Sequence, residues 1–192
     1  VKDLEVIIPE NVNLILIPKI ETAEELQKID NKIKEISNEC GRNTSVYLMP
    51  IIESALGVMN AFEIAKASDN NVALAIGLED YTADIGAQRT VEGKESLFAR
   101  SMIVNAAKAA GIQAIDSVFS DVADEEGLYN STLESKALGF DGKGCIHPNQ
   151  IKIVKKAFAP TEKEIELAEK IFRAFENAGK KGLGVVSLGN KM

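Results

Sequence analysis

The sequence predicts an α/β fold, with strands of a parallel sheet alternating with helices that cover them. Two observations carry this. Short strand-like runs (Val12–Ile17, Ser45–Ile52, Val72–Ile76, Gln113–Ile115 and Phe140–Ile146) alternate with segments of helical periodicity. A polar residue follows the end of each run: Lys19, Glu53, Asp80, Asp116 and His147. Two architectures accommodate such an alternation, a doubly wound open sheet and part of a (β/α)8 barrel. The chain has neither the glycine fingerprint of a dinucleotide fold nor a phosphate-binding P-loop, which weighs against a nucleotide-binding open sheet. Polar groups at the carboxyl ends of successive strands would ring the mouth of a barrel, where catalytic groups gather. Five strands are legible, whereas a full barrel has eight in about 250 residues.

The elements follow in order. Val12–Ile17 reads as a buried strand ending before Pro18-Lys19. Thr22 and Glu25 form a capping box, each able to satisfy a free backbone N–H of the other. Leu26, Ile29, Ile33 and Ile36 then recur at helical spacing, and Gly41 marks the stop. Ser45–Ile52 is the second strand, ending at Glu53, and a helix is expected over Gly57–Ala67. The third strand, Val72–Ile76, ends in Gly77-Leu78-Glu79-Asp80. A polar stretch with Gly86 and Gly93 leads to a helix near Leu97–Ala110, closed by Gly111. Gln113–Ile115 is a short fourth strand, Glu125–Leu138 a helix stopped by Gly139, and Phe140–Ile146 a fifth strand ending at His147-Pro148. Pro148 can open the next helix because its missing N–H is not needed there. Thr161 and Glu164 repeat the capping box and open a helix to about Ala178. Gly182–Met192 is glycine-rich. No long linker divides the chain, so residues 1–192 are read as a single α/β domain. The apolar positions Leu26, Ile29, Ile33, Ile165, Ala168, Ile171 and Phe172 are assigned to the core.

A net charge of −7 predicts a surface that repels nucleic acid and anionic membranes, so neither is an expected partner. No apolar run approaches the roughly 20 residues that span a bilayer. Cys40 and Cys145 fit no metal-ligand spacing and read as reduced thiols, consistent with a cytoplasmic protein. The sequence opens at Val1 without an initiator Met, so its start is not informative about targeting.

Glu53 and Asp80 are the leading catalytic candidates. If their strands are neighbours, the chains run about 4.8 Å apart. Two carboxylate oxygens can then meet at one cation with bonds of about 2.1 Å, the Mg2+ distance, leaving octahedral positions for water and substrate. Glu79 adjoins Asp80, and alternation along an extended backbone would point it elsewhere. The competing reading makes these acids helix caps or solvated groups, which are common at strand ends.

Several ordered motifs resemble the citrate lyase beta subunit of the HpcH/HpaI aldolase and citrate lyase superfamily. They are Pro18-Lys19-Ile20-Glu21-Thr22, Pro50-Ile51-Ile52-Glu53-Ser54-Ala55-Leu56-Gly57, Gly77-Leu78-Glu79-Asp80-Tyr81, Leu97-Phe98-Ala99-Arg100, Ala109-Ala110-Gly111-Ile112-Gln113-Ala114 and Gly139-Phe140-Asp141-Gly142-Lys143. The tail Gly182–Leu188 is similar as well. The resemblance implies a (β/α)8 TIM barrel entered near its fourth strand, lacking the first three strand–helix units. It implies Mg2+ held by Glu53 and Asp80, and cleavage of a citryl thioester to oxaloacetate and an acetyl thioester. The thioester carrier would be CoA or an acyl-carrier prosthetic group. The implied partners are an acyl carrier protein and an acyltransferase subunit, in a homotrimer or a larger complex. Cys145-Ile146-His147-Pro148 and the order Gly189-Asn190-Lys191-Met192 depart from the usual pattern. They put the exact substrate in doubt and leave citramalyl-CoA or malyl-CoA lyase as a rival; a class II pyruvate aldolase, against which the tail argues, and a non-catalytic assembly fragment with unpaired sheet edges are the others.

Other residues are candidates for binding substrate. Backbone N–H groups around Leu78, Glu79 and Asp80 could hold substrate carboxylates. Lys19 could meet an acyl carrier's phosphates or pair with a carboxylate such as Glu21. Arg89, in the loop after Asp80, is favoured over Arg100 for an anion. His147 could contact substrate or make a structural hydrogen bond, and Asp116 could position neighbours.

Overall fold

The computed structural model describes Lys2–Lys180, with side chains up to Glu176. Gly182–Met192 lies outside the described residues. The chain divides after Ala157 into two compact units. The first holds a five-stranded sheet, and α9 (Glu162–Lys180) lies in the second.

The sheet strands are β1 (Leu14–Ile17), β2 (Tyr47–Ile52), β3 (Ala73–Ile76), β4 (Gln113–Asp116) and β5 (Gly142–Lys143). All pairings are parallel and the order is β1-β2-β3-β4-β5. That monotonic order decides between the two architectures. A doubly wound sheet reverses its strand order at a switch point. Here each crossover adds the next strand on the same side, so right-handed connections place their helices on one face, as in a barrel wall. The described strands do not close, so β1 and β5 are edges.

Pro50 shows how β2 passes from one neighbour to the next. Its lack of an N–H is poorly tolerated in a central strand. It sits at the last pairing with β1, opposite Ile17, while Ile51 and Ile52 turn to pair with Ala75 and Ile76 of β3. All four residues of β3 are buried, as expected of a central strand. Leu48, Ile52, Leu74 and Ala114 are fully buried, as are the helix residues Ile64, Ile103 and Ala107.

The helices that accompany the sheet are α1 (Lys2–Ile7), α2 (Ala23–Glu39), α3 (Ala55–Met59), α4 (Ala61–Ala65), α5 (Leu78–Asp84), α6 (Leu97–Ala110), α7 (Glu125–Leu138) and α8 (Gln150–Phe158). The Thr22–Glu25 capping box opens α2 as expected. Gly111 and Gly139 close α6 and α7 in the left-handed conformation, at φ 74° and 98°, where a Cβ would be strained.

Several expectations are corrected. The helix expected over Gly57–Ala67 begins at Ala55 and is broken at Asn60, which ends α3 and precedes α4. Asn60 Nδ2 donates instead to the Glu21 carbonyl, at 2.9 Å. The fifth strand is two residues rather than seven, because the Asp141 carboxylate takes the Ala114 N–H and leaves little ladder to form. Residues 78–84 are helical, where an extended strand end over Gly77–Asp80 and a polar loop after it were expected. Helix α1 was not foreseen; Arg42 caps the turn after it by donating to the carbonyls of Ile8 (3.2 Å) and Val12 (2.6 Å). Ile165, Ala168, Ile171 and Phe172, on α9, are exposed rather than core.

Candidate active site

Three strand ends converge on one cleft. β1 runs into Pro18-Lys19, β2 into Glu53, and β3 into Gly77 and α5. The cleft has a volume of about 330 Å3 and is lined by Lys19, Glu21, Glu53, Ser54, Asp80, Ala83 and Asp84. Because β1–β2 and β2–β3 are adjacent pairs, the groups following them are brought together as the sequence reading expected of Glu53 and Asp80.

Lys19 contacts both acids. Its backbone N–H donates to Glu53 Oε1 at 2.8 Å, and its ammonium lies 3.0 Å from Asp80 Oδ2. Its φ is +56°, in the left-handed region that few side chains other than Asn and Asp adopt readily. The hydrogen bond and ion pair to Asp80, together with Glu53, hold the Lys19 pKa above its ordinary value against a small opposing effect of burial. The Glu21 pairing proposed for Lys19 is thus replaced by Asp80; the Glu21 N–H is held by Glu25.

The Glu53 side chain lies across Gly77. A Cβ on Gly77 would fall 2.6 Å from Glu53 Oε2 and 2.9 Å from Glu53 Cβ, so glycine is what allows the carboxylate this position. The first turn of α5 carries Glu79 and Asp80. Leu78, Tyr81 and Thr82 are buried, while Glu79 and Asp80 are exposed. Glu79 does point away from Asp80, but through helix geometry rather than strand alternation: its carboxylate pairs with Arg89. Arg89 also donates to the Val118 carbonyl at 3.2 Å. The Leu78 N–H, a candidate for a substrate carboxylate, is taken by Ser117 Oγ at 3.2 Å. At the far end of α5, Asp84 Oδ2 accepts the Ala55 N–H at 2.8 Å, joining the two helices that flank the cleft. Among the described residues no group of three or more His, Cys, Asp or Glu is disposed to hold a metal, so a cation here would rest on two protein carboxylates.

His147 is not among the cleft residues. It is exposed, and its Nδ1 accepts the Asn149 N–H at 3.2 Å, a local bond at the start of α8. Asp116, at the end of β4, is buried with its charge fully compensated. It accepts from Arg100 Nε (3.2 Å) and Nη2 (2.9 Å), Ser135 Oγ (2.5 Å) and Lys143 Nζ (3.0 Å). Arg100 also reaches Glu134 at 2.8 Å. Burial acts to raise the Asp116 pKa, but the two cations and these hydrogen bonds outweigh it and hold it below the usual range. Burial drives the Lys143 pKa down despite Asp116, and repulsion from Arg100 and Arg89 adds to it. Arg100 is therefore a structural partner, not an anion site. Its pairings span 16 and 34 residues and Lys143's spans 27, so no local pattern could announce them.

A parallel sheet wound in one direction, with a cleft past the carboxyl ends of its strands, is the arrangement of a barrel-type α/β protein. The chain belongs to the HpcH/HpaI aldolase/citrate lyase family, whose model matches residues 1–148. It is 44% identical over 191 residues to citrate lyase subunit beta of Leuconostoc mesenteroides subsp. cremoris, an alignment covering 99% of this chain and 63% of that protein. It is 34% identical over 201 residues to the mitochondrial citramalyl-CoA lyase of Rattus norvegicus, covering 99% of this chain and 59% of that one. The fold resembles the citrate lyase beta subunit of Mycobacterium tuberculosis complexed with oxaloacetate and magnesium. That match has a TM-score of 0.64 and 33% identity, and covers 77% of this chain and 62% of the other. The chain thus spans less than two thirds of the length of these relatives, and its fold class is α/β of the TIM-barrel type, here an open five-stranded segment.

Proposed function

We propose that the protein carrying this chain is a Mg2+-dependent carbon–carbon lyase that cleaves a citryl thioester, on CoA or an acyl carrier protein, to oxaloacetate and an acetyl thioester. The observation that carries this reading is the pair Glu53 and Asp80, at the ends of adjacent strands and lining one cleft. Mg2+ is bound through one or two carboxylates, with water and substrate oxygens completing its shell. The donor set fits: two hard oxygen ligands, with Gly77 leaving room for one of them. Glu53 and Asp80 would hold the ion, which would supply a Lewis acid for the substrate's hydroxyl and carboxylate oxygens.

The chain's own residues do the positioning. The Lys19 N–H fixes Oε1 of Glu53, so Oε2 is the freer oxygen to offer. Ser117 holds the first N–H of α5, and Asp84 ties the last turn of that helix to Ala55. The substrate hydroxyl loses its proton as the adjacent C–C bond breaks, giving the ketone of oxaloacetate. The electron pair goes to the thioester fragment as an enolate, which is then protonated. Arg89, paired with Glu79 in the first turn of α5, is the cation we assign to an anionic part of the substrate.

Release of oxaloacetate from citryl-CoA, followed with and without EDTA, tests the reading. Glu53→Gln and Asp80→Asn are each expected to abolish Mg2+-dependent release, and undiminished turnover in either overturns the assignment. The likeness to citramalyl-CoA lyase supports a second reading, so citramalyl-CoA is assayed alongside; preference for it would move the substrate, not the metal pair. We further infer that the protein works as a homo-oligomer with an acyl carrier protein and an acyltransferase subunit in the cytoplasm. No helix among the described residues is long and apolar enough to cross a membrane.

A further inference from the structure

We propose that Lys19 is the positioning residue of the Glu53–Asp80 pair, acting through two separable parts. Its left-handed backbone presents an N–H that fixes one oxygen of Glu53, and its ammonium serves as an internal counter-ion on Asp80 that competes with a divalent cation. The inference rests on the reading of Glu53 and Asp80 as metal ligands, and adds what sets the affinity of that site.

The backbone part follows from φ +56° at Lys19 and the 2.8 Å bond from its N–H to Glu53 Oε1. A positive φ at a residue other than glycine is retained only where its surroundings enforce it, and such positions cluster at functional sites. Here it turns the chain at Lys19, whose N–H faces the carboxylate just past β2 while its side chain reaches Asp80. With one lone pair of Oε1 engaged, Oε2, the oxygen packed over Gly77, is the freer of the two to meet a cation. Glu53 is thereby biased towards one-oxygen binding, which suits the small octahedral Mg2+ better than a larger ion that accepts both oxygens of a carboxylate.

The ammonium part follows from the 3.0 Å contact to Asp80 Oδ2. Both side chains are largely exposed, at 75% and 51%, so the pair is held weakly and can open. A divalent cation at Asp80 must take over an oxygen that Lys19 now holds. The ammonium released there is then available to a carboxylate of an incoming substrate.

Two substitutions separate the parts. Lys19→Gly keeps the left-handed backbone and removes the ammonium. Lys19→Val removes both, because a β-branched residue is a poor occupant of that region. The readout is Mn2+ affinity of the protein carrying this chain, by electron paramagnetic resonance or calorimetry, with Mg2+ as competitor. Lys19→Gly is expected to bind Mn2+ about three- to five-fold more tightly, the scale of an exposed ion pair. Lys19→Val is expected to bind more weakly than Lys19→Gly. General damage to the site would weaken binding in both, so tightening in the glycine variant is specific to the counter-ion role. Wild type and Lys19→Gly binding Mn2+ equally would overturn the inference while leaving the metal pair intact. A wild-type protein that binds no Mn2+ would overturn both.

Discussion

Gly77→Ala isolates the contact on which the geometry of the site depends. Gly77 has φ −106° and ψ 97°, ordinary values for alanine, so the substitution introduces no backbone strain. What it introduces is a methyl group 2.6 Å from Glu53 Oε2, 2.9 Å from Glu53 Cβ and 3.2 Å from Ile51 Cγ2. Rotating the Glu53 side chain relieves the first contact. It cannot relieve the second, because Cβ moves only with the backbone at the end of β2. The ends of β2 and β3 must therefore shift apart by some tenths of an ångström. Overpacking of this kind costs about 1–3 kcal/mol, and the reduced entropy of the unfolded chain returns roughly 0.4–1 kcal/mol. A net loss of about 1–2 kcal/mol lowers the thermal midpoint by roughly 2–8 °C in a domain of this size. The rotated carboxylate also leaves the Lys19 N–H, and loss of such orientation typically weakens a metal site about 10- to 100-fold. Circular dichroism melts and Mn2+ calorimetry read the two effects. A Gly77→Ala protein with an unchanged midpoint and unchanged Mn2+ affinity would refute the claim that this close approach sets the carboxylate.

Asp116→Asn leaves Arg100 and Lys143 buried without their shared anion and should cost about 3–5 kcal/mol in urea unfolding. Glu134→Gln, at the exposed end of the same network, should cost less than about 1 kcal/mol; equal losses would contradict the division between buried and exposed partners. Acid should destabilise the fold through Asp30 and Asp116. Burial works to raise the Asp30 pKa, but hydrogen bonds from Lys34, Asn70 and Ser68 hold it below the ordinary value of 3.8. Carboxyls depressed in the folded state contribute stability in full above their unfolded value and lose it as pH falls through the folded one. The urea midpoint should therefore be level near neutrality and fall below about pH 4, with a shallower fall in Asp30→Asn; a level midpoint down to about pH 2 would exclude the effect.

What the sequence disclosed depended on range along the chain. The strand ends were legible because a polar residue closing an apolar run is a local signal, and Glu53 and Asp80, which line one cleft, were singled out as candidates that way. Helix α2 was legible because its cap and its stripe lie within one segment. Helix α5 was not. Its buried positions Leu78, Tyr81 and Thr82 have helical spacing, but a stretch of seven residues next to a strand reads equally well as the strand's extended end and the loop after it. The break at Asn60 was hidden because its cause is a bond to Glu21, 39 residues earlier. The same holds for Lys19, whose partners Glu53 and Asp80 come together only when three strands are in register.

The two sets of charges differ in a way that bears on function. Around Asp116, each buried charge faces an opposite one, and hydroxyl and carboxylate oxygens take up the remaining hydrogen-bonding capacity. Such a set needs nothing further, and its role is to fix the ends of β4 and β5 against α6 and α7. The cleft is different. Its lining carries four carboxylates, Glu21, Glu53, Asp80 and Asp84, against the single ammonium of Lys19. Asp84 is engaged by the Ala55 N–H and Glu53 by the Lys19 N–H, yet neither donor carries a charge. The excess of negative charge is concentrated in an open cleft, with Glu53 and Asp84 held in place by backbone N–H groups. Evolution could have neutralised this excess as it did around Asp116, with a second buried cation. An excess left uncompensated costs stability and raises affinity for a divalent cation, which is the trade that the metal site proposed for Glu53 and Asp80 requires.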